Sequence, residues 1–184
     1  MKLAEWVRCD LDEVTAILAG VRDESADALV AAVLAARRIF VLGVGRSGLL
    51  ARMFAMRLMQ LGLQAYVVGD VTTPPIAASD LLVVLSGSGR TATAVTLAGQ
   101  AKAYGAQLLA VTAEPTSPLA SLADLAVVVP AGSVKTDVTT PTRLPLANAL
   151  EQAMAVVLDC VGAMLAEQLA QDNVALLQRH ANLE

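Results

Sequence analysis

The chain has 184 residues, a length suited to one domain with a single core, and its formal net charge of −4 with scattered arginines offers no basic surface for nucleic acid. Hydrophobic residues make up 56%, yet no uninterrupted apolar run approaches the roughly 18 residues of a membrane span. Aromatic residues are only 3%, so the apolar mass is Ala, Val and Leu, a composition of helix-covered parallel strands and of broad helix contacts between subunits.

The first residues, MKLAEWVRCDLDEV, carry charges where an export signal needs an apolar stretch, and a cytoplasmic location is expected. Residues 3–19 and 25–37 place apolar side chains at helical spacing, the second run following an acidic, Ser-containing start that resembles a cap. RIFVLGV (38–44) reads as a buried strand, followed by a helix from Ser47 that Gly62 stops. QAYVVG (64–69) is the next strand, DVTTPPIAASD a loop with two prolines, and LLVVLS (81–86) a strand too apolar to own a solvent face. After the turn GSGRT, a helix runs to about Tyr104 and strand QLLAVTA begins beyond Gly105.

EPTSPLASLAD then gives a turn and a short helix, LAVVVP a fifth strand, and 130–145 a loop containing Pro141 and Pro145. Leu146 to about Leu169 has the pattern of one long helix, and DNVALLQRHANLE ends the chain as a short helix and tail. Cys9 and Cys160 both fall in helical segments, where packing is their expected role; with one histidine they provide neither a disulfide framework nor metal-ligand spacing. Strands that alternate with helices imply a doubly wound, five-stranded parallel sheet with helices on both faces, a flavodoxin-like three-layer sandwich. One domain covers 1–184: N-terminal helices over 1–38, a sheet core over 39–130, and a C-terminal helix and tail over 146–184.

Ligands of such a sheet bind beyond the carboxyl ends of its strands, where glycine-rich turns expose N–H groups and helix N-termini favour anions. Two loops lie there. Gly43, Gly45 and Gly48 stand at G-x-G-x-x-G spacing, with Arg46 and Ser47 between the last two; Asp70 follows about 20 residues on, where a dinucleotide-binding domain keeps its ribose-binding acid. The second loop, Ser86-Gly87-Ser88-Gly89-Arg90-Thr91, adds three hydroxyls that a dinucleotide site does not need and a phosphate monoester does. A packing role for the glycines, letting helix and strand approach, is the third reading.

GVGRSG, SGSGRT and TAEPTSPLASLAD together resemble the sugar isomerase (SIS) domain over residues 39–130. Within that superfamily FAMRLMQLG, GDVTTP, the Glu-Gln pair at 151–152 and the terminal RHANL resemble 6-phospho-3-hexuloisomerases. That resemblance implies interconversion of D-arabino-hex-3-ulose 6-phosphate and fructose 6-phosphate, a step in the ribulose monophosphate route of formaldehyde fixation. It implies no redox cofactor and no metal. It also implies a homotetramer, a dimer of dimers with pockets between subunits, so the expected partners are a small sugar phosphate and the chain's own copies; charge and hydropathy point to no nucleic acid and no membrane.

Such a reaction removes the C2 proton, passes through a 2,3-enediol and reprotonates C3, so it needs a base and a carrier for hydroxyl protons. Glu151 lies early in the long apolar helix, a setting that favours the proton-bearing form of a carboxyl; it is also the position the family assigns to its catalytic glutamate. His180, the single histidine, falls in the family's C-terminal motif and is the second catalytic candidate, reaching a neighbouring subunit's pocket. Which of Glu151 and His180 is base and which is acid stays open. Gly45, Ser47, Ser86, Gly87, Ser88 and Thr91 are the expected phosphate site; Arg46 and Arg90 either add charge there or form salt bridges, and Thr72 and Thr73 line the sugar end. In one place the chain departs from the family. RLPLANALEQ stands where relatives carry a Gln-Pro-Met-Gly-Ser-like stretch, so Leu146, Ala147 and Asn148 replace smaller or hydroxylated residues. That departure keeps two alternatives open: another SIS isomerase of the phosphoheptose type, or a non-catalytic sugar-phosphate-binding domain.

Overall fold

The computed structural model describes residues 1–131 and 142–183, so the residues from 132 to 141, with Pro141, lie outside the described residues. Strands β1 (Ile39–Gly43), β2 (Ala65–Val67), β3 (Leu81–Leu85), β4 (Gln107–Thr112) and β5 (Leu125–Val128) form one sheet in the order β2-β1-β3-β4-β5. Every pair is parallel, with Ile39 opposite both Ala65 and Leu81, Leu81 opposite Gln107, and Leu109 opposite Leu125. The three central strands are apolar almost without a break because helices cover both of their faces; the edge strands β2 and β5 are shorter and only partly buried. The connection from β1 leads outward to β2 and the connection from β3 leads the other way, so a crevice opens between the carboxyl ends of β1 and β3, the place such a sheet offers a ligand.

Alternation along each strand sorts the core in two. Ile39, Val41, Leu81, Val83, Leu109 and Val111 face helices α2 (Asp23–Ala35), α3 (Arg46–Gln60) and α6 (Asn148–Gln168), and Val14 of α1 (Leu3–Leu18) joins the same cluster. Phe40, Leu42, Leu82, Val84, Leu108 and Ala110 face the opposite way, onto Ala94, Ala98 and Ala101 of α4 (Ala92–Ala103) and Leu119 of α5 (Pro118–Leu122). Alanine at every core position of α4 lets that helix lie close on the sheet. The last helix, α7 (Asn173–Gln178), buries none of its residues.

Most expected elements differ from the observed ones by one or two residues, and three differences have a physical cause. α3 starts at Arg46 rather than Ser47, because Gly45 takes the N-cap position. α6 starts at Asn148 rather than Leu146, whose φ of +47° is left-handed and cannot belong to an α-helix. α2 begins at Asp23 with no side-chain cap, and the acidic start acts through Asp23 and Glu24 beside the positive end of the helix. Cys160 also departs from its expected packing role: it is exposed on the outer side of α6, whereas Cys9 is half-buried.

Among the described residues α6 is long and apolar enough by length and composition to cross a membrane, with a mean hydropathy of 1.6, and 56% of that window is buried inside the protein. Ala153, Met154, Leu158, Val161 and Leu165 supply its packed side. At the opposite end of the sheet from the crevice, buried Asp80 ties β1 to β3. Its carboxylate accepts from Arg38 at 3.0 and 2.6 Å and from the Ala77 N–H at 2.8 Å. Burial pushes the Asp80 carboxyl up, but the Arg38 hydrogen bonds, the Ala77 N–H and the charges of Arg38 and Arg37 outweigh it and hold the pKa below the usual carboxylate value.

Candidate active site

The first glycine loop is built on a close approach. A Cβ on Gly43 would lie 2.5 Å from the Ser47 carbonyl oxygen and 2.7 Å from the Gly48 nitrogen, and one on Gly48 would lie 2.9 Å from the Gly43 carbonyl oxygen. Gly43 and Gly48 therefore let the end of β1 touch the first turn of α3, which is the packing reading of this motif. The consequence is functional all the same. With the helix pulled against the strand, Val44 and Ser47 become part of the wall of the crevice.

The second loop supplies the facing wall. Ser86 is buried; its N–H donates to the Val111 carbonyl at 3.0 Å, and its own carbonyl accepts from the Gly89 N–H at 3.0 Å. The Gly87 carbonyl accepts from the Ala113 N–H at 2.9 Å and from the Thr112 hydroxyl at 3.1 Å, which fastens the loop to the end of β4. Thr91 is the N-cap of α4 but its hydroxyl does not cap the helix; it stands 3.4 Å from the Ser86 hydroxyl, at the same end of the cleft. The Ser88 hydroxyl accepts from the Arg90 N–H at 3.3 Å.

α6 closes the third side. Ala147 at its N-cap and Leu150, Glu151 and Met154 beyond it recur at helical spacing, so they form one stripe that faces the two loops. The cleft bounded by Ser47, Ser86, Gly87, Ser88, Thr91 and this stripe encloses about 60 Å³. Glu151 is 9% exposed, and its carboxylate pairs with the Arg46 Nε–H from the first loop. Arg46 Nη2–H donates to Asn148 Oδ1 at 2.8 Å, so one guanidinium joins the glycine loop to two residues of the first turn of α6.

Of the residues expected from the sequence, Ser47, Ser86, Gly87, Ser88, Thr91 and Glu151 come together in the cleft. Gly45 and Arg90 are exposed beside it and are not part of its lining; Arg46 is committed to the ion pair. Thr73 does not line this cleft. Its hydroxyl donates to the Val67 carbonyl at 2.5 Å and it lines a separate apolar groove with Phe40, Pro74 and Ile76, while Thr72 is exposed. His180 is exposed just beyond α7, its Nδ1 3.0 Å from the Ala181 carbonyl oxygen, and does not line the cleft of its own chain.

The apolar lining from Val44, Leu85, Ala94, Leu150 and Met154 is absent from the sequence expectations, although the spacing of Leu150 and Met154 around Glu151 announces it. Asp70 is engaged by Arg52 at 2.7 and 3.2 Å, which occupies the carboxylate that the ribose of a dinucleotide would need. Among the described residues no three His, Cys, Asp or Glu side chains gather in a way that could hold a metal ion.

Two glycine-rich turns and a carboxylate meet at the switch point of a 2-1-3-4-5 sheet, and residues 33–155 match the model of the SIS domain: the chain belongs to this family. Within it the chain is closely related to 3-hexulose-6-phosphate isomerases. It is 46% identical to the 3-hexulose-6-phosphate isomerase of Mycobacterium gastri, over 94% of this chain and 92% of that one. It is 38% identical to the enzyme of that name from Bacillus subtilis, over 100% of both chains. A crystal structure from Methanococcus jannaschii, described as inferring a molecular function of 3-hexulose-6-phosphate isomerase, superposes with a TM-score of 0.84 at 34% identity over 98% of this chain and 99% of that one.

Proposed function

We propose that the protein interconverts D-arabino-hex-3-ulose 6-phosphate and fructose 6-phosphate, in the ribulose monophosphate route of formaldehyde fixation. The observation that carries this reading is the cleft itself: a buried carboxylate stands beside a nest of hydroxyls, in a chain nearly half identical to a 3-hexulose-6-phosphate isomerase. The 6-phosphate enters between Ser47 of the first loop and Ser86, Ser88 and Thr91 of the second, where hydroxyls and the N–H group of Gly87 surround its oxygens. Glu151 takes the C2 proton; the electron pair of that C–H bond forms the C2=C3 double bond, and the C3 carbonyl oxygen gains a proton. The 2,3-enediol then collapses. The C2 hydroxyl releases its proton as the C2 carbonyl forms, and Glu151 returns a proton to C3.

His180 is the proposed carrier of the hydroxyl protons, acting in the cleft of a neighbouring subunit of a homotetramer. One feature supports a shared site: α1 and α3 expose apolar side chains at Leu3, Val7, Leu11, Leu49 and Met56. The purified protein is expected to convert the 3-hexulose phosphate without added metal. Ser88→Ala in the same assay should raise KM by about tenfold and leave kcat nearly unchanged, because a phosphate contact is made in ground and transition states alike. Turnover of arabinose or heptose phosphates in place of the hexulose phosphate would refute the substrate assignment. An unchanged KM would remove Ser88 from the anion site.

A further inference from the structure

Arg46 was expected either to touch the phosphate or to form a salt bridge, and its contacts show a more specific arrangement. Nε binds the Glu151 carboxylate and Nη2 binds Asn148 Oδ1, so the two arms of the guanidinium grip neighbouring residues on one turn of α6. The sequence separation is 105 residues to Glu151 and 102 to Asn148, so local chain geometry does not dictate either contact. Neither Arg46 nor Asn148 lines the cleft, whereas Glu151 does. Asn148 also lies in the segment where this chain departs from the pattern of its relatives.

We propose that Arg46 is a positioning residue that aims Glu151 at the reacting carbons, and that Asn148 fixes the aim by holding the other arm of the same guanidinium. The physical reason is geometric. A glutamate has three rotatable bonds, and a proton transfer between adjacent carbons requires one oxygen to stay within reach of both; displacement by about 1 Å costs on the order of a hundredfold in rate. Burial restricts the Glu151 side chain but does not choose a rotamer, whereas a planar donor with two fixed arms does. Asn148 supplies the second fixed point, which a single ion pair to a 63% exposed arginine lacks.

This inference rests on the proposed isomerase reading, and kinetics separates it from the rival role as phosphate ligand. Arg46→Ala is expected to lower kcat about tenfold to a hundredfold with KM within about threefold of wild type. Asn148→Ala should lower kcat about threefold to tenfold, although Asn148 is outside the cleft, and Asn148→Asp, which keeps an acceptor for Nη2, should recover most of it. The double variant should be no slower than Arg46→Ala alone, since both changes break one device. A KM effect with kcat preserved in Arg46→Ala, or an unchanged kcat in Asn148→Ala, would overturn the proposal while the isomerase reading stands. Should the wild type turn over no hexulose phosphate, that reading fails by itself. The positioning contact is then judged by a thermal double-variant cycle between Arg46→Ala and Glu151→Ala, where strict additivity of the melting shifts overturns it.

Discussion

Glu151→Gln should lower kcat by at least about a hundredfold and leave KM close to wild type, the signature of a group needed only as the proton moves. Glutamine keeps the shape of the side chain and an oxygen for Arg46, so the loss comes from basicity. Structural damage is expected to be small, because Arg46 is 63% exposed on its side-chain surface and water can solvate the guanidinium once its partner is neutral. The second loop does not depend on Glu151 for its own hydrogen bonds, which run to Val111, Ala113, Thr112 and within the loop. Phosphate binding should therefore survive. Steady-state kinetics with a melting curve alongside reads both quantities, and full activity in this variant would take Glu151 out of the mechanism.

Gly89→Ala should damage both stability and binding. Gly89 has a φ of +59°, and a Cβ there would lie 2.0 Å from Ser117 Oγ, 2.4 Å from Ser117 Cβ and 3.1 Å from Thr112 Oγ1. Ser117 cannot turn aside. It is fully buried, and its hydroxyl accepts from the Ala120 N–H at 3.2 Å to cap α5. Gly89 in turn accepts from the Leu119 N–H at 3.1 Å and donates to Ser86, so its displacement carries the anion loop away from the cleft. Overpacking of about 1–3 kcal/mol and left-handed strain of about 1–2 kcal/mol add in the same direction. In a domain of this size each kcal/mol corresponds to about 2–4 °C, so the melting temperature should fall by roughly 5–15 °C. KM for the sugar phosphate should rise at least about tenfold. A melting temperature within about 2 °C of wild type would show that the loop tolerates a side chain that this packing forbids.

The sheet was legible because of where it lies. Strands covered on both faces read as unbroken apolar runs, so Ile39–Gly43, Leu81–Leu85 and Gln107–Thr112 stand out, and the glycine- and serine-rich turns that follow two of them mark the ligand end. Ser47, Ser86, Ser88 and Thr91 were legible for the same reason: their position follows from the topology. Glu151 was visible as an acid in an apolar helix, and the spacing of Leu150 and Met154 around it gives the rest of that wall.

What stayed hidden depends on contacts between distant segments. No local pattern announces that Arg46 would grip α6, or that the Thr73 hydroxyl would be satisfied by Val67 at the end of β2 and so turn from the cleft. The boundary of α6 depends on a left-handed Leu146, a conformation that residue type argues against. Gly43 and Gly48 illustrate a different ambiguity. Their spacing suits a pyrophosphate turn and a tight strand-helix contact equally, and the close approach of their backbones is common to both.

Isotope exchange tests most directly the proposed work of Glu151 on a 2,3-enediol of a sugar held by its phosphate. Fructose 6-phosphate incubated with the protein in deuterium oxide over many turnovers is predicted to gain deuterium at C3, with the exchange abolished or slowed at least about a hundredfold in Glu151→Gln. Deuterium at C1, the mark of a 1,2-enediol, or no exchange at any carbon, would contradict the account.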